Sequence, residues 1–182
     1  MCKLMVLPLA LLLAPAVYGA GQKTKRPVTP AVSLPVAAAA TVSSLAVSPA
    51  TISFAATDPD VTPSVAGNSL ATVTWSLSNG SNVNWTLSVQ AGAGSFTGCS
   101  TVPTSAVTVA CSSATASKGQ APICSASFPL STSSQQVAGG KELSGPGSAT
   151  YTIVISYSLA DSWKYVASSS CPLNLTYTLN AP

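Results

Sequence analysis

The side chains able to do chemistry are few, and their types set narrow limits. The chain contains no His, so neither a Ser/His/Asp nor a Cys/His nucleophile can be assembled. A Ser–Lys pair would need Lys118, Lys141 or Lys164, all close to Gly, Ser or Asp in stretches that read as loops or turns. Glycoside hydrolysis would need two carboxylates about 5–10 Å apart, drawn from Asp58, Asp60, Glu142 and Asp161. Asp58-Pro59-Asp60 could present paired oxygens to Ca²⁺. The same tripeptide makes an Asp-Pro turn whose side chains bond the backbone, and the turn is the expectation. Ala91-Gly92-Ala93-Gly94 lacks the strand–helix context of a phosphate-binding loop and reads as a plain loop. Trp163 and Tyr165, on either side of Lys164, could form a small surface patch for a ligand such as a sugar ring, or sit half-buried in a strand. No catalytic residue, metal or cofactor is expected.

Cys99, Cys111, Cys124 and Cys171 follow Cys2, with gaps of about 12, 13 and 47 residues. Metal sites need paired short spacings, which these are not. Four cysteines in an exported chain read as two disulfides, with three possible connectivities. The expected pairing is Cys99–Cys111, closing a local loop around Val102-Pro103, with Cys124–Cys171 tying a middle strand to the last one.

Export is read from the first twenty residues, MCKLMVLPLALLLAPAVYGA. Lys3 precedes an apolar run from Leu4 to about Val17, and Gly19 and Ala20 follow, the pattern of a signal peptide. The run is about 14 residues and is broken by Pro8 and Pro15, short of the ~20 that span a bilayer. No stable membrane span is expected after cleavage. Residues 21–40 are rich in Pro and Ala without periodicity and read as a tether. The tether holds Lys23, Lys25 and Arg26. Beyond it only Lys118, Lys141 and Lys164 face the four acids, so the remainder carries about −1 despite a net +3 for the whole chain. A nucleic-acid partner is therefore not indicated.

The elements that must carry these residues are β-strands. In residues 41–182 apolar and hydroxyl side chains alternate with period two, which puts them on opposite sheet faces. Val73, Trp75 and Leu77 alternate with Thr and Ser, as do Val83, Trp85, Leu87 and Val89 with Asn, Thr and Ser. Asn79-Gly80-Ser81-Asn82 between these runs predicts a hairpin. Tyr151, Ile153, Ile155, Tyr157 and Leu159 share a face, and so do Leu173, Leu175, Tyr177 and Leu179. Weaker runs are Ile52–Ala56, Ala106–Cys111 and Ile123–Phe128, with Thr41–Val47 as an edge strand. Charged residues are only 6% of the chain, and no stretch has a helical period. The expected fold is one all-β domain, an antiparallel immunoglobulin-like or Greek-key sandwich. Its core is expected to contain Trp75, Trp85, Leu87, Ile153, Ile155, Leu175 and Leu179. Three N-x-[ST] sequons begin at Asn79, Asn84 and Asn174, with Asn79 the expected accessible one.

Three stretches resemble known bacterial surface domains. Val47-Ser48-Pro49-Ala50-Thr51-Ile52-Ser53-Phe54 resembles the first strand of bacterial Ig-like modules. Asn84-Trp85-Thr86-Leu87-Ser88-Val89 and Leu175-Thr176-Tyr177-Thr178-Leu179-Asn180-Ala181-Pro182 are similar to the two motifs of WxL cell-surface domains, with Tyr177 where that family has Trp. On these positions Trp85, Leu87, Tyr177 and Leu179 would be the motif residues. The resemblance implies a secreted β-domain at the bacterial cell wall, partnered by cell-wall polymer or another surface protein. The leading expectation is a secreted or cell-surface, non-catalytic module with a structural or adhesive role, with a periplasmic location also open. The alternatives are a pilin-like subunit that self-associates by strand addition from Thr41–Val47, and a carbohydrate-binding module using Trp163 or Tyr165.

Overall fold

The structure, a computed structural model, describes residues 6–7, 31–33, 37–38, 41–55, 57–78, 84–141, 147–165 and 171–181. Most of the expected leader (1–20) and tether (21–40) lies outside these residues, as do Asn79, Asn82 and Glu142. Seven main strands build the molecule: β1 (Thr41–Ser48), β2 (Ala71–Ser78), β3 (Asn84–Ala91), β4 (Val107–Ala116), β5 (Gln135–Lys141), β6 (Ser148–Ala160) and β7 (Asn174–Ala181). One sheet runs β4-β6-β2-β1, with Phe128–Pro129 outside β4. The other runs β5-β3-β7, with Ile123–Cys124 outside β5. Ala31–Ser33 and Ala37–Ala38 run parallel to β7 along its outer edge. All pairings among the seven strands are antiparallel.

The alternation of side chains does what period two requires. In β2, β3 and β6 buried residues alternate with half-buried or exposed ones along the whole strand. All seven expected core residues are buried, at 4% exposure or less. The two sheets share that core. Trp75 on β2 meets Trp85 on β3 edge-on, with ring centroids 5.0 Å apart, and stacks on Tyr151 of β6 at 5.7 Å. Tyr157 of β6 and Tyr177 of β7 join their hydroxyls across the sandwich. The outward faces are hydroxyl-coated, and some hydroxyls pair across strands, Ser76 with Thr150 at 3.0 Å and Thr74 with Thr152 at 3.4 Å.

The expected hairpin is not formed. β2 pairs with β1 and β6, whereas β3 pairs with β5 and β7. The chain changes sheets between Ser78 and Asn84. Both runs bury Trp and Leu toward the same interior, so stacking them face to face covers both, and five intervening residues can span the roughly 10 Å between packed sheets. Every later step between main strands also changes sheets.

Other expected strands are corrected. Of the expected run Ile52–Ala56, Ala56 lies outside the described residues; among the rest Ile52 and Phe54 are buried and the strand pairing is an isolated bridge, Phe54 with Gly67. Ile123–Phe128 divides into two short strands on different sheets, with Ile123 64% exposed. β5 carries no strand pattern, because its Gln-Gln-Val-Ala-Gly-Gly-Lys has one large apolar residue and a register shift at Gln136–Ala138. Its Gly140 lies opposite Trp85, leaving room for that ring.

Candidate functional site

The disulfides join residues other than those expected. Cys99 bonds Cys171 and Cys111 bonds Cys124, with Cα atoms 5.4 and 5.5 Å apart, separations a disulfide accommodates without backbone movement. Cys111 sits on β4 of one sheet and Cys124 in the short strand outside β5 of the other, so this bond ties the sheets together along one side. Cys99–Cys171 anchors the 92–106 segment to the chain entering β7. Around it the Thr97 N–H donates to the Pro172 carbonyl at 2.8 Å and the Gly92 N–H to that of Asn174 at 2.8 Å. The expected local loop fails because Cys99 and Cys171 are both carried into the interior, while Cys111 lies part-exposed on the sheet edge.

The Ala91–Gly94 loop belongs to the same end of the molecule and is held by Thr104, a residue with no local sequence signal. Its hydroxyl donates to the Ala93 carbonyl at 2.6 Å and its N–H to that of Gly94 at 2.9 Å. Thr104 is buried, and the bonds satisfy a polar group that would otherwise be costly there.

The Asp58 and Asp161 carboxylates bond backbone and hydroxyl groups. Asp58 Oδ1 accepts the Asp60 N–H at 3.0 Å, and the Asp58 carbonyl accepts those of Val61 and Thr62. This is the Asp-Pro turn. Asp161 accepts the Ser162 N–H at 2.8 Å on one oxygen and the Thr57 hydroxyl at 3.1 Å on the other. Its N–H donates to the Pro63 carbonyl at 2.9 Å, so loops 57–63 and 161–165 are fastened together. Among the described residues no three His, Cys, Asp or Glu side chains are grouped to hold a metal.

Trp163 and Tyr165 lie on the second of these loops. Trp163 is 62% exposed. Tyr165 is half-buried against the core, and its N–H closes a turn onto the Ser162 carbonyl at 3.0 Å. Burial, and then the charge of Asp161, raise the Tyr165 hydroxyl pKa. Of the two rings Trp163 is the more open. Lys118 lies elsewhere, its Nζ beside Gly147. Asn84 and Asn174 are exposed sequon residues, while Asn79 is outside the described residues.

An apolar cavity of about 20 Å³ lies between the sheets, against Phe54, Val107, Leu130, Tyr157 and Leu173. That is room for about one water and far below the several hundred Å³ of a small-molecule site. Burial raises the pKa of both Tyr157 and Tyr177 well above the ordinary tyrosine value, and the neighbouring Tyr177 adds to it for Tyr157.

The residues of the two WxL-like stretches come together on adjacent strands. Leu87 lies opposite Leu179, and Trp85, Leu87, Tyr177 and Leu179 are all buried. Their role in this fold is packing. What the fold and its bonds define is a disulfide-bonded, antiparallel all-β domain. No protein-family model, curated protein or solved structure matches the chain. Among the described residues no helix is long and apolar enough to cross a membrane.

Proposed function

We propose that the chain is an exported, non-catalytic β-sandwich module with a structural or adhesive role outside the cytosol, at the cell surface or free of it. The observation that carries this reading is the closure of both cysteine pairs, since structural disulfides belong to oxidising compartments. The leader-like first twenty residues agree with it. The bonds of Asp58 and Asp161 to backbone and hydroxyl groups agree with a structural part for these two side chains.

An immunoglobulin-like architecture is the finer reading. Taking β1, β2, β3, β4, β6 and β7 as strands A to F, one sheet has the order A-B-E-D and the other pairs C with F, as in that fold. β5 is then an added strand beside C, and the disulfides are not the usual B–F bridge. The likeness to Ig-like and WxL surface domains makes a cell-wall polymer or another surface protein the expected partner.

Expression of the whole chain with its own leader, followed by fractionation, thiol labelling and mass spectrometry, tests the proposal. The expected product lies outside the cytosol, begins near residue 21 and has four blocked cysteines. Unprocessed cytosolic chain with free thiols would overturn it. A carbohydrate-binding role keeps one supporting observation, the open ring of Trp163, and quenching of its fluorescence by soluble cell-wall saccharides is the corresponding test. The pairing of Thr41–Ser48 with β2 of its own sheet favours the module over the pilin-like reading.

A further inference from the structure

An open sheet edge presents unused N–H and C=O groups that can template pairing with another chain, and proteins blunt such edges with short strands, charges, proline or added segments. Three of the four edges here are treated in this way. Phe128–Pro129 covers β4 only at Thr108 and Val109, Pro129 having no N–H to offer, and a bulge between Cys111 and Ser113 interrupts the rest of that edge. Outside β5 lies Ile123–Cys124, pinned by the Cys111–Cys124 bond. The outer edge of β7 carries Ala31–Ser33 and Ala37–Ala38.

β1 is the exception. It is eight residues long, Thr-Val-Ser-Ser-Leu-Ala-Val-Ser, with neither charge nor proline, and pairs with β2 on one side only. Among the described residues nothing pairs with its other side. Val42, Leu45 and Val47 pack against the core yet stay half-buried, as expected of side chains with no strand beyond them. A register shift between Val42 and Ser44 disturbs only the start, leaving Ser44–Ser48 regular.

We propose that β1 is a self-pairing edge. The β1 strands of two copies run antiparallel, join their sheets into one continuous sheet and close a two-fold dimer. A second copy is the occupant because the strand is its own complement. Two-fold pairing sets like against like, which charged side chains would oppose and this strand does not contain. The half-buried Val42, Leu45 and Val47 of each copy gain cover from their equivalents. The contact is isologous, so growth stops at two copies and no fibre forms.

Size-exclusion chromatography with light scattering on the whole exported protein, with free thiols alkylated, tests this over a dilution series. The expected mass at the concentrated end is twice that of one chain. Replacing Ser44→Lys and Ala46→Lys together alters two exposed side chains and puts like charges against like across the dimer axis. This should raise the dissociation constant at least about tenfold while leaving the melting temperature of the monomer unchanged. Mixing that variant with its Ser44→Glu/Ala46→Glu counterpart should restore the double mass. A single-chain mass at every concentration would overturn the proposal. So would a dimer indifferent to the lysines, a charge-swapped mixture that stays monomeric, or assemblies that grow beyond two.

Discussion

Adding one methyl group at Gly140 should disturb the core far more than adding one at its neighbour Gly139. A Cβ on Gly140 would stand 2.9 Å from Cε2 and 3.2 Å from Cη2 of the Trp85 ring, and closer still to Cζ2. The ring cannot retreat, because it meets Trp75 at 5.0 Å and Tyr151 at 5.2 Å and is almost wholly buried. Overpacking of this kind costs about 1–3 kcal/mol. With the clash falling on a ring wedged between two others, about 2 kcal/mol is expected, or roughly 4–8 °C in Tm for a chain of this size. A Cβ on Gly139 instead meets Gln136 Nε2 at 2.8 Å, the far end of an exposed, flexible side chain. That side chain can move aside, and Ala also restricts the unfolded chain, so Gly139→Ala should stay within about 0.5 kcal/mol of wild type. Trp85→Leu should cost about 3 kcal/mol by leaving a cavity. Against that background Gly140→Ala should cost almost nothing, a coupling of about 2 kcal/mol. Urea unfolding with disulfides intact, followed by tryptophan fluorescence and near-UV circular dichroism, measures all four variants. Equal costs at Gly139 and Gly140, or an additive double variant, would refute the wedged ring.

The disulfides should differ in value. Cys99–Cys171 closes a loop of 72 residues and Cys111–Cys124 one of 13, so chain entropy assigns them about 4 and about 3 kcal/mol; denaturation of the two Cys→Ser double variants checks the order. Trp163→Ala should leave stability within about 0.5 kcal/mol of wild type, whereas Trp75→Ala should cost about 3–5 kcal/mol, because Trp163 is exposed and Trp75 is enclosed. Alkali should destabilise the fold. Tyr157 and Tyr177 have folded pKa values above the unfolded value of about 10, so the unfolded chain loses protons first and stability present below pH 10 falls as pH rises through that value. Each tyrosine withheld from ionisation contributes a slope of about 1.4 kcal/mol per pH unit, and a Tyr157→Phe/Tyr177→Phe variant should lose most of it in unfolding curves taken between about pH 9 and 12.

Faces were legible in this sequence and neighbours were not. Alternation reports which side chains turn inward, and Trp75, Leu87, Ile153 and Leu179 all do so. It carries no information about which strand lies alongside. The two runs flanking Asn79-Gly80 have the pattern of a hairpin, and face-to-face stacking buries the same residues equally well. β5 escaped notice because its contribution is space: Gly140 accommodates Trp85, and glycine has no hydrophobic signature. The cysteine pairing followed the same logic, since nearness in sequence favoured Cys99–Cys111, whereas the fold carries Cys99 to the segment leading into β7. For the site, the Asp58 turn was readable because Asp-Pro chemistry is local. The bond from Thr57 to Asp161 joins residues 104 apart and has no local signal.

Non-reducing peptide mapping of the exported protein bears most directly on both the compartment and the arrangement of the sheets. Two cross-linked species are expected, one joining the peptides of Cys99 and Cys171 and one joining those of Cys111 and Cys124. Recovery of a Cys99–Cys111 species, or of these cysteines as free thiols, would contradict the account.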